Sequence, residues 1–221
     1  ANEATAVIAI PELDLLPDRW EGLQSYEALV WTDLEPDLRP SQETALVEWI
    51  RRGGHLVIVL PETGNPWNLG SSIGGPLADL MPPAPRRDES IPIGMLLPEL
   101  VKGRTPAQAS SRMAMRTFRD LHGSYDALTS QQQWESVHAL ADGRVYAIQR
   151  PVGHGRITVI GLDIASEKLA LLGMQLASNE GSSIRSVPEA DRFWNRILGR
   201  RVDTPDQVTL TAMEEAEVLN T

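Results

Sequence analysis

"RRGGHLVIVLPETGNPW", residues 51–67, decides how this chain is read. Arg51 and Arg52 suit the negative end of a helix, and Gly53–Gly54 stop it. An unbroken apolar run then extends from Leu56 to Leu60. Such a run has no solvated face, so it predicts a strand buried on both sides, as in the middle of a parallel sheet. The polar corner Pro61, Glu62, Thr63, Gly64 follows. In many α/β enzymes the corner beyond such a strand carries the nucleophile, so its chemistry matters.

The segments before this stretch fit an α/β pattern. "TAVIAI" (5–10) and "EALVWTD" (27–33) read as strands, and "LPDRWEGLQSY" (16–26) as a turn or short helix. After "EPDLRP", Ser41 is expected to cap a helix with Glu43 in its first turn. Ala45, Leu46, Trp49 and Ile50 share one face of it. Downstream, "GGPLADLMPPAP" suggests a short helix ended by prolines, and "RRDESIP" (86–92) an exposed loop. "TPAQ" (105–108) matches a helix start, while "RMAMRTF" alternates like a strand; periodicity leaves 105–121 open between helix and strand. "ESVHALA", "RVYAIQR" and "RITVIGLD" read as three strands joined by the turns "DG" and "PVGHG". The first two are expected as an antiparallel hairpin at an edge, the third as internal. An amphipathic helix from about Pro188 to Leu198 closes the pattern at Gly199. The expectation is an α/β fold: a three-layer α/β/α sandwich over residues 1–202, with a mostly parallel, flavodoxin-like sheet and an antiparallel edge hairpin. Residues 203–221 read as a polar, acidic tail or linker. There is no internal repeat.

Composition narrows the function. The 221 residues carry a net charge of -10, which repels nucleic acid and anionic lipid in the absence of a basic patch. There is no cysteine, so disulfides, thiolate metal sites and cysteine nucleophiles are excluded together. A chain of this length buries roughly 70% of its unfolded surface and needs no covalent or metal staple. No apolar run is long enough to span a membrane. The chain starts at Ala1 rather than Met, the expected mark of a processed protein or of a piece of a longer one.

"LPDRWEGLQSYEALVWTD", "SQETALVEWIRRGGHLVIVLPE", "GHGRITVIGLDIAS" and "FWNRILG" together resemble the class I glutamine amidotransferase-like domains. More narrowly, they resemble the versions found in bacterial membrane-anchored proteins. The resemblance implies the flavodoxin-like sandwich and an extracytoplasmic, periplasmic setting, with membrane helices in flanking segments. In active amidotransferases the strand matching "HLVIVL" enters a Gly-x-Cys-x-Gly elbow, and a later histidine and glutamate complete a triad. Here the elbow position holds "LPETG", and no His-x-Glu pair follows "GLDIAS". The resemblance therefore implies the scaffold without the catalytic residues.

Other candidate sites are weighed on their own chemistry. "GSSIG" (70–74) has the Gly-x-Ser-x-Gly form with Ser72 as nucleophile, but that motif needs a strand running directly into it, and the strand here ends at Leu60. His138 or His154 would have to serve as a distant base. His55 and His122 suggest surface or capping roles. Asp33, Glu62 and Asp163 stand at predicted strand ends, where open parallel sheets bind ligands. Converging, they could hold Mg²⁺ or Ca²⁺; the plainer reading is that they cap turns. Thr63 in the corner and His154 in "PVGHG" complete the residues expected to bind. Trp20 and Trp67, near turns, would mark a partner or glycan surface if exposed.

The preferred expectation is a non-catalytic binding or assembly domain of a larger bacterial envelope protein. Its partners would be proteins or flanking segments of its own chain, with no nucleic acid, no cofactor and no assigned metal. The alternatives are a hydrolase using Ser72 or a carboxylate-bound divalent metal, and a small-ligand or sugar sensor using the same cleft.

Overall fold

The structure is a computed structural model that describes residues 10, 12–64, 66–67, 69, 75–82, 85–96, 112–118, 134–164, 166, 169 and 190–199. Of the expected strand at 5–10 only Ile10 is described; the helix start at 105–108, Ser72, His122 and the tail lie outside the described residues.

The stretch His55–Val59 forms strand β2, buried at every position. Its neighbours are both parallel: β1 (Ala28–Trp31) and β7 (Gly155–Ile160). Beyond β7 lie β6 (Val145–Val152) and β5 (Glu135–Ala139), each antiparallel to its neighbour. The order β1-β2-β7-β6-β5 is a mixed sheet of five strands in an α/β fold. The internal place of "ITVIGL" and the edge hairpin match the sequence reading. β1 pairs directly with β2, so no strand lies between them.

The burial on both faces of β2 follows from its alternation. Leu56 and Ile58 pack into a cluster with Leu46, Trp49 and Ile50 of helix α1 (Pro40–Arg51). Val57 and Val59 join Phe193 and Ile197 of helix α2 (Ala190–Leu198), together with Met113 and Met115. Each such side chain contributes roughly 1.5–3 kcal/mol relative to exposure, so this one strand ties both faces together.

α1 begins two residues before the sequence suggests. Ser41 is not its cap: Pro40 takes the first helical position, where its missing N–H is no loss. Arg39 is the capping residue, and its backbone N–H donates to Gln42 Oε1 at 3.1 Å. Gln42 Nε2 in turn donates to the carbonyls of Leu13 and Leu16 at 2.8 and 2.9 Å, fixing the chain before β1 to the start of the helix. At the other end Gly53 has a φ of 126°, a conformation that L side chains rarely adopt, and the chain turns there into β2.

"RRDESIP" is not a loop. Residues Arg86–Pro92 form strand β3, antiparallel to β4 (Arg112–Thr117). The register shifts between Asp88 and Ile91, and such a bulge breaks the alternation by which a strand is read. β4 settles the helix-or-strand question for "RMAMRT". The ribbon joins the main sheet through bridges from Met115 to Leu162 and from Phe118 to Val145.

Candidate functional site

The carboxyl ends of β2 and β7 meet beneath β4. Leu60 N–H donates to Ile160 O at 2.9 Å, carrying the parallel pairing one step past β2. The chain then turns through Pro61, Glu62 and Thr63 to Gly64, whose φ is 83°. Glu62 N–H donates to Asp163 Oδ2 at 3.2 Å. Glu62 Oε1 accepts the Ala114 N–H of β4 at 3.0 Å. The Arg116 guanidinium donates to the Gly64 carbonyl, and Arg116 N–H donates to Gly161 O at 2.7 Å. The corner is thus bound to β4 on one side and to the loop after β7 on the other.

Of the sequence-derived residues, Glu62 and Asp163 come together and Asp33 does not. The Trp31 indole N–H donates to Leu34 O at 2.7 Å, folding 31–34 into a turn that leaves Asp33 exposed. Among the described residues no group of three or more His, Cys, Asp or Glu could hold a metal ion. Thr63 is exposed at the corner. His154 lies in the turn between β6 and β7, at the opposite end of β7 from Asp163; its N–H donates to Arg51 O at 2.9 Å. It cannot act with Glu62 or Asp163. His138 is no surface base either. It is buried on β5 between Phe193 and Tyr146, with ring centroids 4.8 and 5.8 Å away and both rings nearly parallel to it.

Trp67 is buried, contrary to the partner-surface idea, and packs edge-on against Trp31 with ring centroids 5.0 Å apart. Trp20 is half-buried, with the Arg52 guanidinium 4.1 Å above its ring; a cation over an indole face is itself favourable.

Sequence reasoning missed the polar network at the amino ends of β2 and β7. His55 is buried, not a surface residue. Arg156 Nε–H donates to His55 Nδ1 at 3.2 Å, so Nε2 carries the proton and faces Thr158 Oγ1 at 2.8 Å. The Thr158 hydroxyl lies 3.4 Å from Gln149 Oε1 and donates to it. Arg156 also donates to the Leu198 carbonyl, satisfying the C-terminal end of α2. Burial first, then the positive charge of Arg156, lowers the His55 pKa to about 3. The network fixes β2, β6, β7 and α2 to each other and holds His55 neutral. Its only sequence signal was a histidine leading a fully buried strand.

The corner offers carboxylates and backbone groups joined to each other. Glu62 acts there as an acceptor for β4. Replacing Glu62 by alanine is expected to leave the Ala114 N–H without that acceptor and to lower stability by about 1–3 kcal/mol. Hydrogen exchange at Ala114 should accelerate, and Glu62→Gln, which retains an amide oxygen, should lose less. Unchanged exchange at Ala114 in the alanine variant would contradict the assigned bond.

No family model matches the chain, and no curated protein matches it. Among solved structures it is similar to "Cytoplasmic Protein STM3548 from Salmonella typhimurium", with a TM-score of 0.44 and 12% identity over 83% of this chain and 74% of that one. A likeness of that size carries neither fold nor function across.

Proposed function

We propose that this chain is a non-catalytic, amidotransferase-like domain that serves binding or assembly in a larger bacterial envelope protein. The observation that carries this reading is the corner after β2. Where an acyl-transfer enzyme needs a thiolate that attacks and later departs, this chain places Glu62, whose carboxylate accepts a backbone N–H of β4. A carboxylate in that role does not replace a thiolate in acyl transfer from glutamine. The clusters on the two faces of the sheet, one with α1 and one with α2, support a three-layer sandwich of the flavodoxin-like kind. The envelope setting rests on the resemblance of the "SQETALVEWIRRGGHLVIVLPE" and "GHGRITVIGLDIAS" stretches, with any membrane anchor supplied by flanking segments.

The test is turnover. Pure chain incubated with glutamine is expected to release no ammonia. Ester, amide and phosphate substrates should likewise stay intact, with or without Mg²⁺, Ca²⁺ or EDTA. Glutamine hydrolysis, or ester hydrolysis abolished by Ser72→Ala, would overturn the reading.

A further inference from the structure

The Arg156 guanidinium is shared between a buried ring and a helix end. Its Nε–H donates to His55 Nδ1 at 3.2 Å, and its Nη2 donates to the Leu198 carbonyl. Its Nη1 lies 2.8 Å from where a Cβ on Gly199 would stand, so the group sits directly against the turn that ends α2. Gly199 has a φ of 67° in that turn, and its N–H donates to Arg196 O at 3.3 Å. A guanidinium is planar and rigid, so displacing Nε also displaces the nitrogen that holds the helix end.

α2 depends on such contacts. It has 9 residues, too few for an isolated helix to be stable in water. Phe193 and Ile197 anchor it in the cluster with Val57 and Val59 of β2, and the Arg156 cation meets its negative end.

A second proton on His55 has one place to go. Nε2 already carries a proton toward Thr158 Oγ1, which leaves Nδ1. There the new N–H would oppose the Arg156 N–H, and one cation would face another. Burial first, then Arg156, lowers the ring's pKa to about 3, so the closed arrangement rejects that proton. Among the described residues Arg156 is the charge that shifts the ring. Glu27 before β1, Arg51 and Arg52 beside the end of α1, His154 in the β6–β7 turn and Arg196 in the last turn of α2 are all exposed, and Gln149 of β6 is neutral. An arrangement with Arg156 swung out to water returns His55 toward its ordinary pKa of 6.5 and accepts the proton. Falling pH therefore favours the open arrangement over the closed one.

We propose that His55 and Arg156 form an acid-sensitive latch: protonation of His55 drives the Arg156 guanidinium off the Leu198 carbonyl and frees the last turn of α2 while the sheet stays paired. The latch goes beyond the binding reading and does not depend on it. It is a local opening, distinct from unfolding of the whole chain.

Hydrogen exchange on the whole chain, expressed as protection relative to an unstructured peptide at the same pH, tests the latch. At pH 7 the Ile197, Leu198 and Gly199 amides are expected to be less protected than those of β2. Between pH 6.5 and 5 their protection should fall by about tenfold per pH unit. In His55→Asn, which does not titrate, it should stay flat, while His154 is present in both chains and cancels. Arg156→Met removes the donor to Leu198 and should lower last-turn protection roughly tenfold or more already at pH 7; it decides the matter if His55→Asn does not fold. Circular dichroism confirms that each variant is folded. Last-turn protection equal to that of β2 at every pH would mean that α2 opens only with the whole molecule, and would overturn the proposal. An undiminished acid slope in His55→Asn, or unchanged last-turn protection in folded Arg156→Met, would do the same.

Discussion

Gly155→Ala is expected to lower the stability of this protein by about 3 kcal/mol or more, the upper range for steric overpacking. A Cβ at position 155 would lie 2.0 Å from the Ile50 carbonyl oxygen and 2.2 Å from that of Gly54. Both obstacles are backbone, so no side-chain rotation relieves them. Neither is free to retreat. The Gly54 carbonyl accepts the Arg156 N–H at 3.1 Å, and the adjoining Arg51 carbonyl accepts the His154 N–H at 2.9 Å. The close approach is what lets the end of α1 pack against the start of β7 while β2 and β7 stay in register. Gly53→Ala is the control. Its φ of 126° is unfavourable for alanine, yet nothing stands within 4 Å of the new Cβ. Urea denaturation of both variants separates the two causes. The clash at 155 predicts the larger fall in midpoint, and a Gly155→Ala midpoint equal to wild type would contradict the packing.

The parts of this fold that were legible in the sequence are those whose burial is local and one-signed. "HLVIVL" showed its place because all of its residues are buried, and the "DG" turn showed the β5–β6 hairpin because Gly143 adopts a positive φ there. The β3–β4 ribbon was hidden because a bulge interrupts its alternation and its charged residues look like a loop. The candidate site was half legible. Glu62 and Asp163 were identifiable as strand ends, and they meet because β2 and β7 are neighbours in the sheet. That adjacency joins residues 101 positions apart, so spacing along the chain could not reveal it. Asp33 looked equivalent, but a tertiary detail, the Trp31 indole on the Leu34 carbonyl, turns its segment outward. His55 was misread for the same reason. Its partner Thr158 is 103 residues away, and only the β2–β7 register brings them together. Trp67 went unrecognised as core because its contact, Trp31, belongs to a different strand end.

Acid should expose the His55 network more sharply than any other feature of the molecule. The unfolded histidine has its ordinary pKa of 6.5, and the folded one is lowered to about 3. Between those values the unfolded chain binds a proton that the folded chain refuses. Stability therefore rises with pH across this window, and the contribution is complete above pH 6.5. It is lost progressively as pH falls from about 6.5 towards 3, because each pH unit in that window removes about 1.4 kcal/mol. From pH 7 to pH 4 the His55 share of the loss is about 3 kcal/mol. His55→Asn isolates it. The asparagine oxygen can accept from Arg156 in place of Nδ1, but the side chain does not titrate. The variant is expected to be less stable than wild type at pH 7 by about 1–3 kcal/mol, since Thr158 Oγ1 loses the His55 Nε2–H donor and keeps only its bond to Gln149. Its decline between pH 7 and pH 4 should nonetheless be shallower by about 3 kcal/mol, while the carboxylates titrate in both proteins and cancel in the comparison. Urea denaturation of the two chains at matched pH values reads the difference directly. Parallel acid limbs would mean that His55 accepts its proton in the folded state, and the neutral, doubly hydrogen-bonded ring between Arg156 and Thr158 would have to be abandoned.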